Sequence, residues 1–193
     1  GPSYSIASAC ASGADAIGLA WILLRAGIVD LAIAGASEAT ITPLGIAAFD
    51  RIGAISKQTG NTPRPFDQNR DGLVLGEGAA VLILERLSNA KKRGAVILAE
   101  LAGYAATADA YHITAPAEDG HGGARAIRNA LQIAGVAPED IRYINAHGTG
   151  TVLNDLAETR AIKTALGSRA YDIPISSTKS MTGHMMGATG AWK

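Results

Sequence analysis

Apolar positions along the chain change their period several times, and each change predicts an element. Tyr4 to Ala7 is short, β-prone and apolar at alternate positions, which predicts a strand, and it runs into the small residues Ser8-Ala9-Cys10-Ala11-Ser12-Gly13. Ala14, Ile17, Ala20, Trp21 and Leu24 then recur at helical spacing, so a strand turns sharply into a buried helix near Cys10, and Gly27 closes that helix. Leu31 to Ala34 has the length and flanks of a buried strand, and the Gly- and Pro-punctuated stretch Ile52 to Gly78 is an irregular connection. Ala79 to Leu84 is a continuous apolar run, the pattern of a strand covered on both faces.

A short helix over Ser88 to Arg93 is stopped by Gly94, and Val96 to Ala102 returns to strand character. A polar loop between Thr107 and Gly123 leads into a helix from about Ala124 to Ala134. Ile141 to Asn145 is another strand, opening into His147-Gly148-Thr149-Gly150-Thr151, after which Asn154 or Asp155 caps a helix running to about Leu166. Ile173 to Ser176 is a last strand and Gly187 begins a last helix. Strands alternating with helices predict an α/β fold with a layered sheet.

Composition narrows the function. The chain has 193 residues, 48% apolar and 18% charged, with 17 positive and 17 negative side chains, and its mean hydropathy is +0.16. Such a chain buries a core rather than staying disordered. Zero net charge gives no field for nucleic acid or an anionic membrane, and the one basic run, Lys91-Lys92-Arg93, reads as a solvated helix end. Ala14 to Leu24 is broken by Asp15 and is shorter than the roughly 20 residues of a membrane span, so it is a core helix. The first residues have neither an initiator Met nor a charged n-region, so no signal peptide is expected, and both ends read as cut. One cysteine excludes an internal disulfide framework and suits a reducing compartment.

Three side chains carry the candidate chemistry. Cys10 lies among small residues that allow a tight strand-to-helix elbow, and a thiol at a helix N-terminus is expected to have its pKa lowered by the unpaired N–H groups there. Those groups could also stabilise an oxyanion on an acyl group bound to sulfur. His147 and His184 each lie in a Gly-flanked loop after a strand. Singly each would be a structural histidine, whereas together with an elbow Cys they form a nucleophile with proton or oxyanion partners. His112 and His121 read as surface residues, and no His-x-x-x-His or Cys pair occurs, so no metal is expected. Gly76-Glu77-Gly78 and the glycines from Gly183 to Gly190 are tight packing or turns rather than nucleotide loops.

The stretches Ser8 to Gly13, Arg64-Pro65-Phe66-Asp67, Arg70-Asp71-Gly72, Gly76-Glu77-Gly78, Asp109-Ala110-Tyr111-His112, Asn145-Ala146-His147-Gly148-Thr149 and Ser177 to His184 resemble, in order, a β-ketoacyl-acyl carrier protein synthase of the elongating type. The resemblance implies a thiolase-like layered αβαβα fold, incomplete in this chain, and a homodimer. About 1–95 would be the end of the N-terminal half, from the nucleophile elbow onward, and about 96–193 most of the C-terminal half. The family has a half-domain before the elbow and a Gly-rich, Phe-containing loop after the last helix, so the chain is expected to be part of a longer domain.

The same resemblance implies decarboxylative condensation for fatty acid elongation. An acyl group passes from a carrier-protein thioester to Cys10; malonyl-acyl carrier protein loses CO2, and its enolate attacks the acyl-Cys10 carbonyl. His147 and His184 would hold the malonyl thioester oxygen. Lys179 matches the family's Lys five positions before the second His, Asp155 and Glu158 match acidic residues of a buried network with it, and Thr114, Thr149 and Thr151 match positions lining the pantetheine channel. No cofactor belongs to the chain itself, since the phosphopantetheine rides on the acyl carrier protein. The implied location is the bacterial cytoplasm or, in a eukaryote, the plastid stroma or mitochondrial matrix.

Three positions depart from the family pattern. Lys193 stands where the family has Glu, preceded by Trp192; Gly53 stands where a basic residue is usual; and Gly150 is closer to polyketide synthases than the usual Ser. A ketosynthase domain of a polyketide synthase is therefore one alternative, although Met181-Thr182 after Lys179-Ser180 favours the fatty acid type. The other alternative is a catalytically inactive piece with a structural or interaction role only.

Overall fold

The computed structural model describes residues 1–58 and 62–193. A 3₁₀ turn, Ala9–Ala11, leads directly into helix α1, Ser12–Arg25, which buries Gly13, Gly18, Ala20 and Leu24. Strand β1, Leu31–Glu38, pairs antiparallel with β2, Gly78–Glu85, Leu31 opposite Glu85 and Glu38 opposite Gly78, and α1 packs across this pair. Helix α2, Pro43–Arg51, lies between them; Thr42 caps it by accepting from Gly45 N–H at 3.1 Å and Pro43 fills its first turn. Helix α3, Leu87–Lys92, follows β2.

The second half is built around α4, His121–Ala134, and α5, Val152–Leu166, which pack on each other. Ile162, Leu166, Ala170 and Ile173 form their core, with Ile127, Leu131, Ile141 and Ile144 against it. Strands β3, Ile144–Asn145, and β4, Ile175–Ser176, pair parallel. Two short helices complete the chain, α6, Lys179–Thr182, and α7, Thr189–Trp192, separated by a 3₁₀ turn at Met186–Ala188.

Several expected strands do not form. Tyr4 to Ala7 and Val96 to Ala102 are not strands, and Ile141 to Asn145 forms a ladder only over its last two residues. An apolar run becomes a strand only where a neighbour completes its ladder. Val96 and Leu98 are 88% and 94% exposed, and the stretch is held instead by the Trp21 indole, which donates to Leu101 O at 2.8 Å. The double coverage expected of β2 is also not met among the described residues: Val81, Ile83 and the facing Ile33 are 68%, 67% and 72% exposed. Helix α2 had no counterpart in the periodicity, and α5 begins two residues before the expected cap.

Candidate active site

The elbow and the second histidine loop meet because glycines remove the side chains between them. A Cβ on Gly13 would lie 2.7 Å from Ala191 N, and one on Gly190 would lie 2.5 Å from Ala14 N, so α1 and α7 touch backbone to backbone. The contact sets Cys10 beside the Met186–Ala188 turn, with its Sγ 4.0 Å from Met186 Sδ. Ala9, just before Cys10, has φ +51°, a left-handed conformation that a non-glycine residue adopts only under constraint.

His184 is stitched to the other half of the chain by its backbone: its N–H donates to Val74 O at 2.7 Å and its carbonyl accepts from Gly76 N–H at 3.0 Å. A Cβ on Gly76 would fall 2.3 Å from Thr182 O, which bears out the packing reading of that glycine. His147 follows β3, and its N–H and that of Gly148 donate to the two carboxylate oxygens of Glu158 at 2.6 and 2.7 Å. One donor atom from each of Cys10, His147 and His184 lies within 4.8 Å of the others, and the two rings meet edge to face at 5.4 Å.

The protonation of these groups follows from burial. His184 is 2% exposed, and burial, then the Lys179 and Lys193 charges, push its pKa down to about 3. His147 is held well below the usual imidazole range, by burial first and then by Lys179. Both rings are therefore neutral at pH 7. Nδ1 of His184 accepts from Met186 N–H at 3.1 Å, so its proton sits on Nε2. Lys179 Nζ lies 3.3 Å from Nδ1 of His147, and as an ammonium it places that ring's proton on Nε2 as well. Three converging N and S donors, which spacing along the chain did not reveal, could in principle hold a cation. The tautomer enforced by Met186 instead presents an N–H, which suits donation to an oxygen.

Cys10 does not behave as its helix position suggests. Its thiol pKa is raised: burial outweighs the lowering by Lys179 and by a backbone hydrogen bond, and Glu38 raises it further. Desolvation of the thiolate is the largest effect.

Lys179 is 1% exposed; it donates to His147 O, and burial followed by the nearby Lys193 lowers it to about 7, with Glu158 pulling the other way. Lys193, in the position where Glu was expected, reaches Ala146 O with its ammonium and adds a second positive charge. Of the two carboxylates expected to form a network with Lys179, only Glu158 bears on it. Asp155, 1% exposed, instead accepts from Phe66 N–H at 2.7 Å and Thr149 N–H at 3.1 Å, and sits 3.5 Å from Arg70 Nε. It fixes the loop after His147. Thr149 and Thr151 lie in that loop with their hydroxyls 2.7 Å apart, and Thr114 is exposed, its N–H donating to His112 Nδ1 at 3.2 Å. Met186, Thr189 and Ser177 were not foreseen. Thr189 Oγ1 lies 3.3 Å from His184 Nδ1, and Ser177 Oγ donates to Gly148 O at 2.9 Å.

This arrangement is that of a thiolase-like ketosynthase, and solved structures of that class superpose on it. A ketosynthase of a type II polyketide synthase, solved with its acyl-carrier protein and bound to a hexaketide, aligns at TM-score 0.93 and 47% identity, over 96% of this chain and 47% of that one. A β-ketoacyl synthase from Burkholderia phymatum aligns at 0.89 and 44% identity, over 96% of this chain and 45% of that one.

Residues 1–90 match the β-ketoacyl synthase N-terminal domain and residues 98–193 its C-terminal domain, and the chain belongs to the β-ketoacyl synthase family. It is 53% identical to 3-oxoacyl-[acyl-carrier-protein] synthase 2 of Synechocystis and 48% identical to the protein of that name from Staphylococcus aureus, each over 98% of this chain. The chain spans about half the length of these relatives, 46% and 48%.

Proposed function

We propose that the chain carries the catalytic centre of a condensing enzyme for fatty acid elongation, a protein about twice its length. The observation that carries this is the convergence of Cys10, His147 and His184 within 4.8 Å, with both imidazoles neutral. Cys10 sulfur forms a bond to the acyl carbonyl of an acyl-carrier thioester, and the pantetheine sulfur leaves with the Cys10 proton. Malonyl thioester then loses CO2, its electron pair moving onto the thioester oxygen, where the Nε2–H groups of His147 and His184 stabilise the charge. The enolate attacks the acyl-Cys10 carbonyl and expels the Cys10 thiolate, which takes up a proton. Lys179 holds His147 in its tautomer; Glu158 and Asp155 hold the loop around it; Thr149 and Thr151 offer hydroxyls to the pantetheine amides. The partner is acyl carrier protein, whose phosphopantetheine is the only prosthetic group required, and the bacterial relatives favour action in a bacterial cytoplasm.

The test is Cys10→Ala in the full-length protein supplied with acyl- and malonyl-carrier protein. Loss of β-ketoacyl product is expected; retention of product overturns the role of Cys10.

A polyketide ketosynthase is the second reading, favoured by Gly150. Its φ is +79°, and a Cβ there would lie 2.9 Å from Gly72 O, so a Ser at this position would require the loop to shift. Preference for malonyl- over methylmalonyl-carrier protein supports the first reading, and the reverse supports the second.

A further inference from the structure

Helix α1 carries a stripe that the catalytic reading does not use. Asp15, Gly18 and Trp21 recur at every third residue, and together they hold the extended segment around 101–104 against the helix. The Trp21 indole donates to Leu101 O at 2.8 Å, and the Tyr104 ring lies so close to Gly18 that a Cβ there would be 2.4 Å from it. That seat brings the Tyr104 hydroxyl to Asp15, where it donates to Oδ1 at 2.7 Å. The other oxygen, Oδ2, accepts from the Ser8 hydroxyl. Ser8 is two residues before Cys10; its N–H donates to Ser12 Oγ at 3.0 Å, and Ser12 Oγ donates to Ala9 O at 2.7 Å. These bonds surround Ala9, the residue held at φ +51°.

We propose that Tyr104, Asp15 and Ser8 form a brace by which the segment opening the second half of the chain fixes the constrained backbone before Cys10, making Tyr104 and Asp15 positioning residues for the nucleophile. One carboxylate bridges two segments distant in sequence, and removing either hydroxyl breaks the bridge. Burial and the adjacent carboxylate push the Tyr104 phenol up to about 12, so it remains a donor throughout the working range. The charged groups acting on Cys10 itself are Lys179 and Glu38, not Asp15, so the brace works through geometry. The proposal rests on Cys10 being the nucleophile.

The test uses Tyr104→Phe, which keeps the ring on Gly18, with Asp15→Asn and the double variant. Acylation of Cys10 from acyl-carrier protein in the full-length protein is expected to lose about tenfold in kcat with KM unchanged. The double variant should be no worse than Asp15→Asn alone. In parallel, the pH midpoint of Cys10 alkylation by iodoacetamide is expected to fall in Tyr104→Phe, as a loosened elbow admits water to the thiol. Wild-type kcat and an unmoved alkylation midpoint in a folded Tyr104→Phe protein overturn the brace, as do additive losses. If the wild-type protein alkylates at Cys10 but is not acylated there, the functional reading fails, and the alkylation midpoint still decides the brace.

Discussion

Lys179 Nζ lies 3.3 Å from Nδ1 of His147 and also donates to the same residue's carbonyl, so one buried ammonium governs both the ring and the backbone of a proposed oxyanion donor. The charge of Lys179 thereby sets which nitrogen of His147 carries its proton. With Lys179 at about 7, that control is exercised near neutral pH.

Stability should record the same titration. Between about 7 and 10.5 the unfolded chain binds a proton that folded Lys179 lacks, so stability rises with pH across this window and the contribution is constant below it. Urea unfolding from pH 7 to 10.5 should show the rise. It should amount to a few kcal/mol at most, since each tenfold change in proton affinity is worth roughly 1.4 kcal/mol. Lys179→Met should flatten it, leaving a smaller slope from Lys193, which is also lowered.

His184 predicts an acid limit. Its folded pKa of about 3 lies below the ordinary 6.5, so the unfolded chain takes up the proton first and stability falls as pH drops from 6.5 towards 3. His184→Asn should reduce that loss. In the full-length protein it should also slow decarboxylation by about 100-fold or more while leaving acyl transfer to Cys10 within a few-fold; equal effects on the two steps would remove His184 from the enolate-stabilising role.

The two carboxylates should separate cleanly. Glu158→Gln removes the negative charge that supports Lys179, so the Lys179 titration should move further down. Asp155→Asn should leave that titration in place and cost stability instead, about 3 kcal/mol, because a 1%-exposed carboxylate serving Phe66, Thr149 and Arg70 is lost. Denaturant unfolding, with NMR of the lysine side chains, measures both.

Alkylation of Cys10 by iodoacetamide should have a pH midpoint above the 9.0 of an unperturbed cysteine, because burial outweighs the lowering by Lys179 and a backbone hydrogen bond. A midpoint below about 7 would show those lowering interactions prevailing over burial.

Much of the site was legible because its chemistry lies in short contiguous stretches, Cys10 among small residues and each histidine beside glycines, which keep their meaning without knowledge of the fold. The helices α1, α4 and α5 were readable for the same local reason. The strands were legible only in part: Leu31 to Ala34 and Ala79 to Leu84 lie in β1 and β2, whereas Val96 to Ala102 has the apolar character of a strand without forming one, because pairing depends on a partner elsewhere. The thiol pKa was misjudged because sequence shows the helix end and not the burial. Met186 and Thr189 escaped notice because neither carries chemistry of its own; they act by orienting His184.

The close backbone contacts of Gly13 with Ala191 and of Gly190 with Ala14 make the site sensitive to substitutions that change no reactive group. Gly13→Ala or Gly190→Ala should cost about 1–3 kcal/mol or more by overpacking, as measured by denaturant unfolding. A single methyl group at either place would act as a wedge, widening the gap between sulfur and imidazole while every group that does chemistry stayed in the chain. Screens for loss of activity should therefore recover silent-looking glycine variants here beside the expected cysteine and histidine ones.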